Sequence, residues 1–348
     1  MKILLYGANG YTGRLICEQA AEAGQALVLA SRNAEKIKPI AKHYGWEYRT
    51  ADLNDPRALD FLLSEMTVVL HCAGPFKFTA KQMMEACIRN GVHYLDITGE
   101  IEVFELGKSL DQKAKAANVM VMSGVGFDVV PTDCTALYLK KQLPDATHLQ
   151  LAFTSVGGAF SHGTAKTMVE NLGEFGAIRK DGAITPVPMG YKGRWVDFGK
   201  KRLFVMTIPW GDVATAFYTT GIPNIETYMG VPEKAFNVIQ KLRSLEFLWS
   251  NGLVKRILNW QIDNNLTGPD KEARAKSQSM VWGRVTNASG EEKEARLFTP
   301  DGYTLTAKTA LLIAQKVLSG NFKAGYQTPA GVYGEDLILE IPNTVREG

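Results

Sequence analysis

The sequence predicts an α/β chain: a doubly wound parallel sheet over residues 1–133, then an α+β domain on a mostly antiparallel sheet over residues 134–324. Three observations carry that expectation. Short, mostly apolar runs (Ile3–Tyr6, Ala26–Ala30, Thr67–Cys72, Val119–Met122) are separated by helix-period stretches, the pattern of parallel strands buried on both faces. The first run passes straight into a glycine-rich turn and a helix. Beyond Ala146 the pattern changes, and His148–Thr154 alternates apolar with polar residues as a half-buried strand does. At 348 residues the chain has room for about two domains.

The first 32 residues form one strand–turn–helix–strand unit. Ile3–Tyr6 is the strand, Gly7-Ala8-Asn9-Gly10-Tyr11-Thr12-Gly13 the turn, Leu15–Ala21 the helix closed by Gly24, and Ala26–Ala30 the second strand. The spacing G-x-x-G-x-x-G is a variant of the dinucleotide fingerprint. Gly7 permits the tight turn, Gly10 removes a side chain that would face phosphates, and Gly13 lets helix and strand pack closely. Free N–H groups at the helix start then bind a pyrophosphate, with Asn9, Tyr11 and Thr12 in reach. This is a Rossmann domain. At the end of the second strand stand Ser31 and Arg32, about 20 residues past the glycines, where an NAD site carries an acid. Arginine suits a 2′-phosphate, so the expected cofactor is NADP(H), held there by Arg32 and the Ser31 hydroxyl.

The remaining strands deliver further loops. After Trp46–Thr50, Asp52 either accepts from an adenine amino group, or Asp52 or Asn54 caps the helix starting near Pro56. Thr67–Cys72 ends in Ala73-Gly74-Pro75-Phe76, placing Cys72, Ala73, Gly74 and Pro75 along the cofactor. A helix from Lys81 to Asn90 feeds the strand Val92–Asp96, in which His93 reads as a polar strand-entry residue. A helix from Val103 to Ala117 leads to Val119–Met122, completing six strands, and the loop Gly124–Pro131 then lies at the carboxyl edge. That position makes Gly124 a cofactor contact and Asp128 a candidate proton donor; Thr132 or Asp133 caps the next helix. In the second domain a turn over Gly157–Thr164 opens a helix through Leu172, and strands are expected at Ile184–Pro188, Arg202–Ile208, Val213–Thr219, Thr227–Gly230 and Met280–Asn287. His162 is the second candidate proton donor, or a turn histidine bonded to its own backbone. A helical insertion, 233–262, carries an apolar stripe including Phe247, Leu248 and Trp249, read as packing or as a lipid contact.

Composition narrows the function classes. A net charge of +3 and no basic run longer than Lys200-Lys201-Arg202 argue against nucleic acid. The four cysteines, Cys17, Cys72, Cys87 and Cys134, have no zinc or redox spacing, so no metal and a reducing, cytoplasmic setting are expected. No leader or membrane-spanning run is expected either.

Together these motifs resemble the saccharopine dehydrogenase-like oxidoreductases, most closely the trans-acting enoyl reductase branch. The resemblance rests on Gly7–Arg14, Ala73–Phe76, Tyr94-Leu95-Asp96-Ile97-Thr98-Gly99-Glu100, Gly126–Asp133, Gly163-Thr164-Ala165, Gly302-Tyr303 with Thr306-Ala307, and Thr328-Pro329-Ala330-Gly331. It implies an NADP-binding Rossmann domain, a substrate domain, and a C-terminal segment, about 325–348, returning to the first domain. It also implies that Thr98, Gly99 and Asp128 face nicotinamide and substrate, and that a C=N or an enoyl C=C bond of a small-molecule or acyl substrate is reduced. The middle of the chain departs most from the family. A non-catalytic NADP sensor or scaffold is the alternative, and a homodimer through the second sheet is expected.

Overall fold

The structure is a computed structural model describing residues 1–157, 161–170, 175–242, 252–265 and 268–348. It divides into two compact units, Met1–Val130 with Tyr303–Val332, and Pro131–Gly302 with Tyr333–Gly348.

In the first unit the elements are β1 (Ile3–Tyr6), α1 (Tyr11–Glu22), β2 (Val28–Ser31), α2 (Ala34–Tyr44), β3 (Tyr48–Thr50), α3 (Pro56–Leu63), β4 (Val68–His71), α4 (Ala80–Asn90), β5 (His93–Asp96), α5 (Ile101–Ser109), α6 (Asp111–Ala116) and β6 (Met120–Met122). The helix expected over Val103–Ala117 is therefore two, interrupted at Leu110. The strands run parallel in the order β15-β6-β5-β4-β1-β2-β3, β15 being Gly325–Tyr326. β1, β4 and β5 are buried along their whole length, β1 as an unbroken apolar run, β4 and β5 with His71, His93 and Asp96 carried inside. The strand order reverses beside β1, between β2 and β4, which places the β1 and β4 loops at the switch point where such sheets bind ligands. Helix Gly302–Leu318 also belongs to this unit, and Thr306 Oγ1 accepts the Phe127 N–H at 2.9 Å.

The second unit holds α7 (Val130–Gln142), β7 (His148–Val156), α8 (His162–Glu170), β8 (Gly176–Lys180), β9 (Ala183–Val187), β10 (Gly193–Asp197), β11 (Arg202–Thr207), α9 (Asp212–Thr220), β12 (Asn224–Gly230), α10 (Glu233–Leu242), α11 (Gly252–Asn265), α12 (Lys271–Lys276), β13 (Gln278–Thr286), β14 (Glu292–Pro300) and β16 (Val345–Glu347). Its sheet runs β10-β11-β12-β7-β13-β14-β16, antiparallel except between β12 and β7, with the β8–β9 hairpin joined at β12. One face packs Leu149, Leu151, Ile225 and Val285 against Ala136 and Leu139 of α7 and Ala216 of α9. The other buries Ala152, Tyr228, Met280 and Trp282.

Three further readings change on seeing the fold. Val213–Thr219, expected as a strand for its β-branched residues, is helix α9. Two of its threonines return their hydroxyls to the helix (Thr215 to Gly211 O, 3.3 Å; Thr220 to Ala216 O, 2.6 Å), and Gly221 closes it in the left-handed region, φ 71°. The cap of α3 is Asp55, which accepts from Arg57 and Ala58 N–H at 3.0 and 3.1 Å, rather than Asp52 or Asn54. Finally, the stretch 325–348 divides: β15 joins the first sheet, while β16 pairs with β14 in the second. Residues 158–160 of the expected turn, the helix end at Leu172, and Phe247, Leu248 and Trp249 lie outside the described residues.

Candidate active site

Everything at the switch point starts from the glycine turn. Gly7 stands at φ 90°, donates its N–H to Ala30 O at 2.8 Å, and lies against the end of β4: a Cβ there would come 2.8 Å from the Cys72 carbonyl carbon. A Cβ on Gly13 would overlap the Gly7 carbonyl oxygen and stand 2.7 Å from Ala8 Cα, so only glycine lets α1 sit this close to β1. Gly10 is the N-cap of α1; no side chain caps the helix and no acid stands in its first turn. Asn9, at the bend, accepts from Arg14 Nε at 3.3 Å, and the Tyr11 ring meets the Tyr303 ring edge-on at 5.0 Å. Thr12 is half-buried in the first turn. The result is a cradle of backbone donors with room for an anion beside it.

At the end of β2 the two expected phosphate contacts part company. The Ser31 hydroxyl is buried and committed to a local turn, donating to Asn33 O at 2.9 Å and accepting Asn33 N–H at 3.2 Å. Arg32 is exposed and has no ion-pair partner among the described residues. Asp52 is exposed too, its Oδ1 accepting from Asn54 N–H at 2.8 Å and from the Asn54 amide at 3.0 Å.

The loops after β4, β5 and β6 are tied together by two carboxylates to which sequence reasoning gave no role. Asp96 is fully buried at the end of β5 and has four donors: Tyr94 OH and Ser123 OH on Oδ2, both at 2.8 Å, and Thr98 and Gly124 N–H on Oδ1, both at 3.0 Å. Burial nonetheless raises its pKa above the ordinary range. Glu100 holds the turn after Pro75, taking Phe76 N–H at 2.9 Å and Lys77 N–H at 2.7 Å. Thr98 is buried, its hydroxyl accepting Glu100 N–H at 3.0 Å. Thr79 donates to Ala73 O at 2.8 Å and so accepts from His71 Nε2 at 3.1 Å. His71 is wholly buried and its pKa falls to about 3, leaving it neutral, with Nδ1 unpartnered among the described residues. Cys72 is also driven upward by burial, so it is an inert thiol. His93 accepts Met120 N–H on Nδ1 at 3.0 Å, a role inside the sheet. The signal for Asp96 and Glu100 lay in the pattern Asp-x-Thr-Gly-Glu after a strand, a side-chain-to-backbone turn signature.

Asp128 lies over this loop layer. A Cβ at Gly99 would stand 3.0 Å from Asp128 Oδ2, so Gly99 leaves the space the carboxyl occupies. Burial, reinforced by the nearby Glu100 charge, pushes Asp128 up to about 7. The other candidate, His162, belongs to the second unit. It is bonded to Asp263, not to its own backbone: Nε2 lies 2.7 Å from Asp263 Oδ1, an oxygen that also takes Lys166 Nζ at 2.7 Å. Hydrogen bonds from Lys166, first, and His162 draw Asp263 below its usual range. No group of three or more His, Cys, Asp or Glu fit to hold a metal occurs among the described residues. None of their helices is long and apolar enough to cross a membrane.

The cradle fits a dinucleotide, because Gly7 and Gly13 let the turn, the start of α1 and the end of β4 close together without side chains and α1 leaves its first N–H groups without a side-chain cap. Residues 3–122 match the family Saccharopine dehydrogenase NADP binding domain. The chain is 27% identical over 225 residues to a saccharopine dehydrogenase-like oxidoreductase of Rattus norvegicus, covering 56% of this chain and 52% of that protein. It is 31% identical over 149 residues to a trans-acting enoyl reductase of Mycobacterium leprae, covering 40% and 36%. The chain thus spans about half the length, or less, of these curated relatives. Apo saccharopine dehydrogenase (L-Glu forming) from Saccharomyces cerevisiae shares the fold, with a TM-score of 0.66 and 15% identity over 97% of this chain and 96% of that one. Residues 3–122 thus match a nicotinamide dinucleotide-binding domain of the saccharopine dehydrogenase kind, and the chain is similar over about half its length to saccharopine dehydrogenase-like oxidoreductases.

Proposed function

We propose that the chain is an NADPH-dependent reductase acting on a polarised C=C or C=N bond, with the cofactor in the cradle formed by Gly7, Gly10 and Gly13. The observation that carries this is the placing of a carboxyl with a pKa near 7, Asp128, on the same loop layer that the glycine turn and the β4 loop border. The enoyl reductase name of the mycobacterial relative supports the C=C option. When bound, NADPH supplies the hydride.

The chain's residues do the rest. Backbone N–H groups at the start of α1 hold the pyrophosphate, and Arg32 pairs with the 2′-phosphate. Glu100 and Asp96 fix the loops at 74–77 and 98–99 through backbone N–H groups, so the wall facing the nicotinamide is set before substrate arrives. Asp128, still protonated near neutrality, gives its proton to the substrate atom that does not take the hydride. The role goes to Asp128 rather than His162 because Asp263 already holds the His162 ring nitrogen at 2.7 Å.

The test is NADPH consumption with enoyl thioesters and with imines of amino acids, for the wild type and Asp128→Asn across pH. The rate should fall as pH rises through about 7, the value to which Asp128 is raised. Asp128→Asn should lose roughly 10²- to 10⁴-fold in rate and the pH limb with it, while still binding NADPH. Tight NADPH binding without turnover of either class would favour the sensor reading instead.

A further inference from the structure

We infer that the second unit carries an anion site of its own, a cavity in which Arg194 and Arg202 take the phosphate or carboxylate group of a small metabolite. The cavity, of about 360 Å³, is of the size that small-molecule sites have, and every residue lining it belongs to the second unit. Strands β10, β11, β13 and β14 line it, although β12 and β7 separate the first pair from the second in the ladder. The sheet curls far enough for Arg194 of β10 to reach Gln150 of β7 and Trp282 of β13. Trp282 is buried and holds two guanidiniums, Arg194 at 5.3 Å and Arg284 at 5.2 Å from its ring centroid.

The charges inside the cavity are the second observation. Both lining carboxylates are already engaged. Glu294 takes Arg284 Nε at 3.0 Å and Arg296 at 3.3 Å. Asp197 stands across from Arg202 in the β10–β11 ladder, yet its carboxylate accepts the Gly199 N–H at 2.9 Å and lies 4.0 Å from Arg296. Arg194 and Arg202 make no ion pair among the described residues. Arg194 is nonetheless held from behind: it donates to Gln150 Oε1, while Gln150 Nε2 donates to Glu226 Oε2 at 3.1 Å and Lys192 neutralises Glu226. Its guanidinium is thus oriented without being neutralised, and most of its N–H donors remain. Arg202 closes Lys200-Lys201-Arg202, a basic run that the dinucleotide chemistry of the first unit leaves without a role. Forked donors without carboxylate partners, in a cavity, are what a phosphate or carboxylate binds.

The experiment is fluorine NMR of the full chain labelled with fluorotryptophan, because Trp282 and Trp195 both line the cavity and report on it locally. Their signals are assigned with Trp→Phe variants, and the titrants are inorganic phosphate, succinate and, as an ionic control, chloride. Phosphate or succinate should move these signals to saturation with a dissociation constant of about 1 mM or tighter. Arg194→Gln and Arg202→Gln should each weaken that binding by about tenfold or more, with thermal melts as the fold control. Arg202 is exposed and makes no side-chain bond among the described residues, so its variant keeps the test open if Arg194→Gln fails to fold. Tighter phosphate binding assigns the site to a phosphate ester, and tighter succinate binding to a carboxylate. The inference is overturned by shifts that do not saturate, by equal shifts with chloride, or by an affinity that survives both variants, as binding at the glycine turn would.

Discussion

At the scale of single residues, burial decides what each titratable group does. His71 and Asp128 move in opposite directions, and their effects on stability have opposite signs. His71 is held neutral down to about pH 3, whereas the unfolded chain protonates it near 6.5. Between those values the unfolded state binds the extra proton, so stability is lost as pH falls through that window. The single group accounts for roughly 3 kcal/mol between pH 6.5 and 4. Urea denaturation at pH 7 and pH 4 should show His71→Gln losing about that much less than wild type; an identical acid loss in both would show that His71 is not the cause. Asp128 keeps its proton in the folded state to about 7 and loses it near 3.8 when unfolded, so its contribution declines as pH rises across that range. Asp96 is the residue whose loss should hurt most. Asp96→Ala strands four donors, two hydroxyls and two N–H groups, in a site without exposure, and should cost more than about 3 kcal/mol by the same denaturation. A loss below about 1 kcal/mol would mean that water replaces the carboxylate. The sequence assigns Arg32 a role because its position after the second strand has a chemical meaning. Asp96 and Glu100 gain theirs only from the loops that the fold brings beside them.

At the scale of elements, the glycine turn separates two uses of the same residue type. Gly13 has backbone inside the volume a Cβ would take, whereas Gly10 would meet only Gly7 O, at 3.3 Å. Gly13→Ala should therefore destabilise the unit by about 1–3 kcal/mol and Gly10→Ala by under about 1 kcal/mol, while Gly10→Ala still weakens dinucleotide binding. Melting curves set against nucleotide titrations separate the two; equal melting losses would mean that α1 shifts to admit either methyl. Strand-and-helix alternation in the first unit was readable because strands buried on both faces leave apolar runs, as at Ile3–Tyr6 and Val68–Leu70. Val213–Thr219 misled because a helix in which Thr215 and Thr220 bond back to Gly211 and Ala216 carries the β-branched composition of a strand. Strands such as Gly193–Asp197 and Glu292–Pro300 are studded with charge, and only their pairing with β11 and β13 reveals them.

At the scale of the whole molecule, the chain is two units, and the one matched to a family also carries the cradle, the clamped loops and Asp128. The second unit, with its nine-stranded sheet among the described residues, was expected as an antiparallel substrate domain. Its departure from the family pattern is why the sequence names a reaction class and not a substrate. The reductase reading of the chain depends on the first unit taking up a phosphorylated dinucleotide. The most direct measurement is therefore a titration of the full chain with NADPH and with NADH, repeated with Arg32→Ala. NADPH should bind about 10- to 100-fold more tightly, as one charged phosphate pair allows, and the variant should close most of that gap. Binding of neither nucleotide would contradict the assignment of the glycine turn as a cofactor site, and the reductase reading would fall with it.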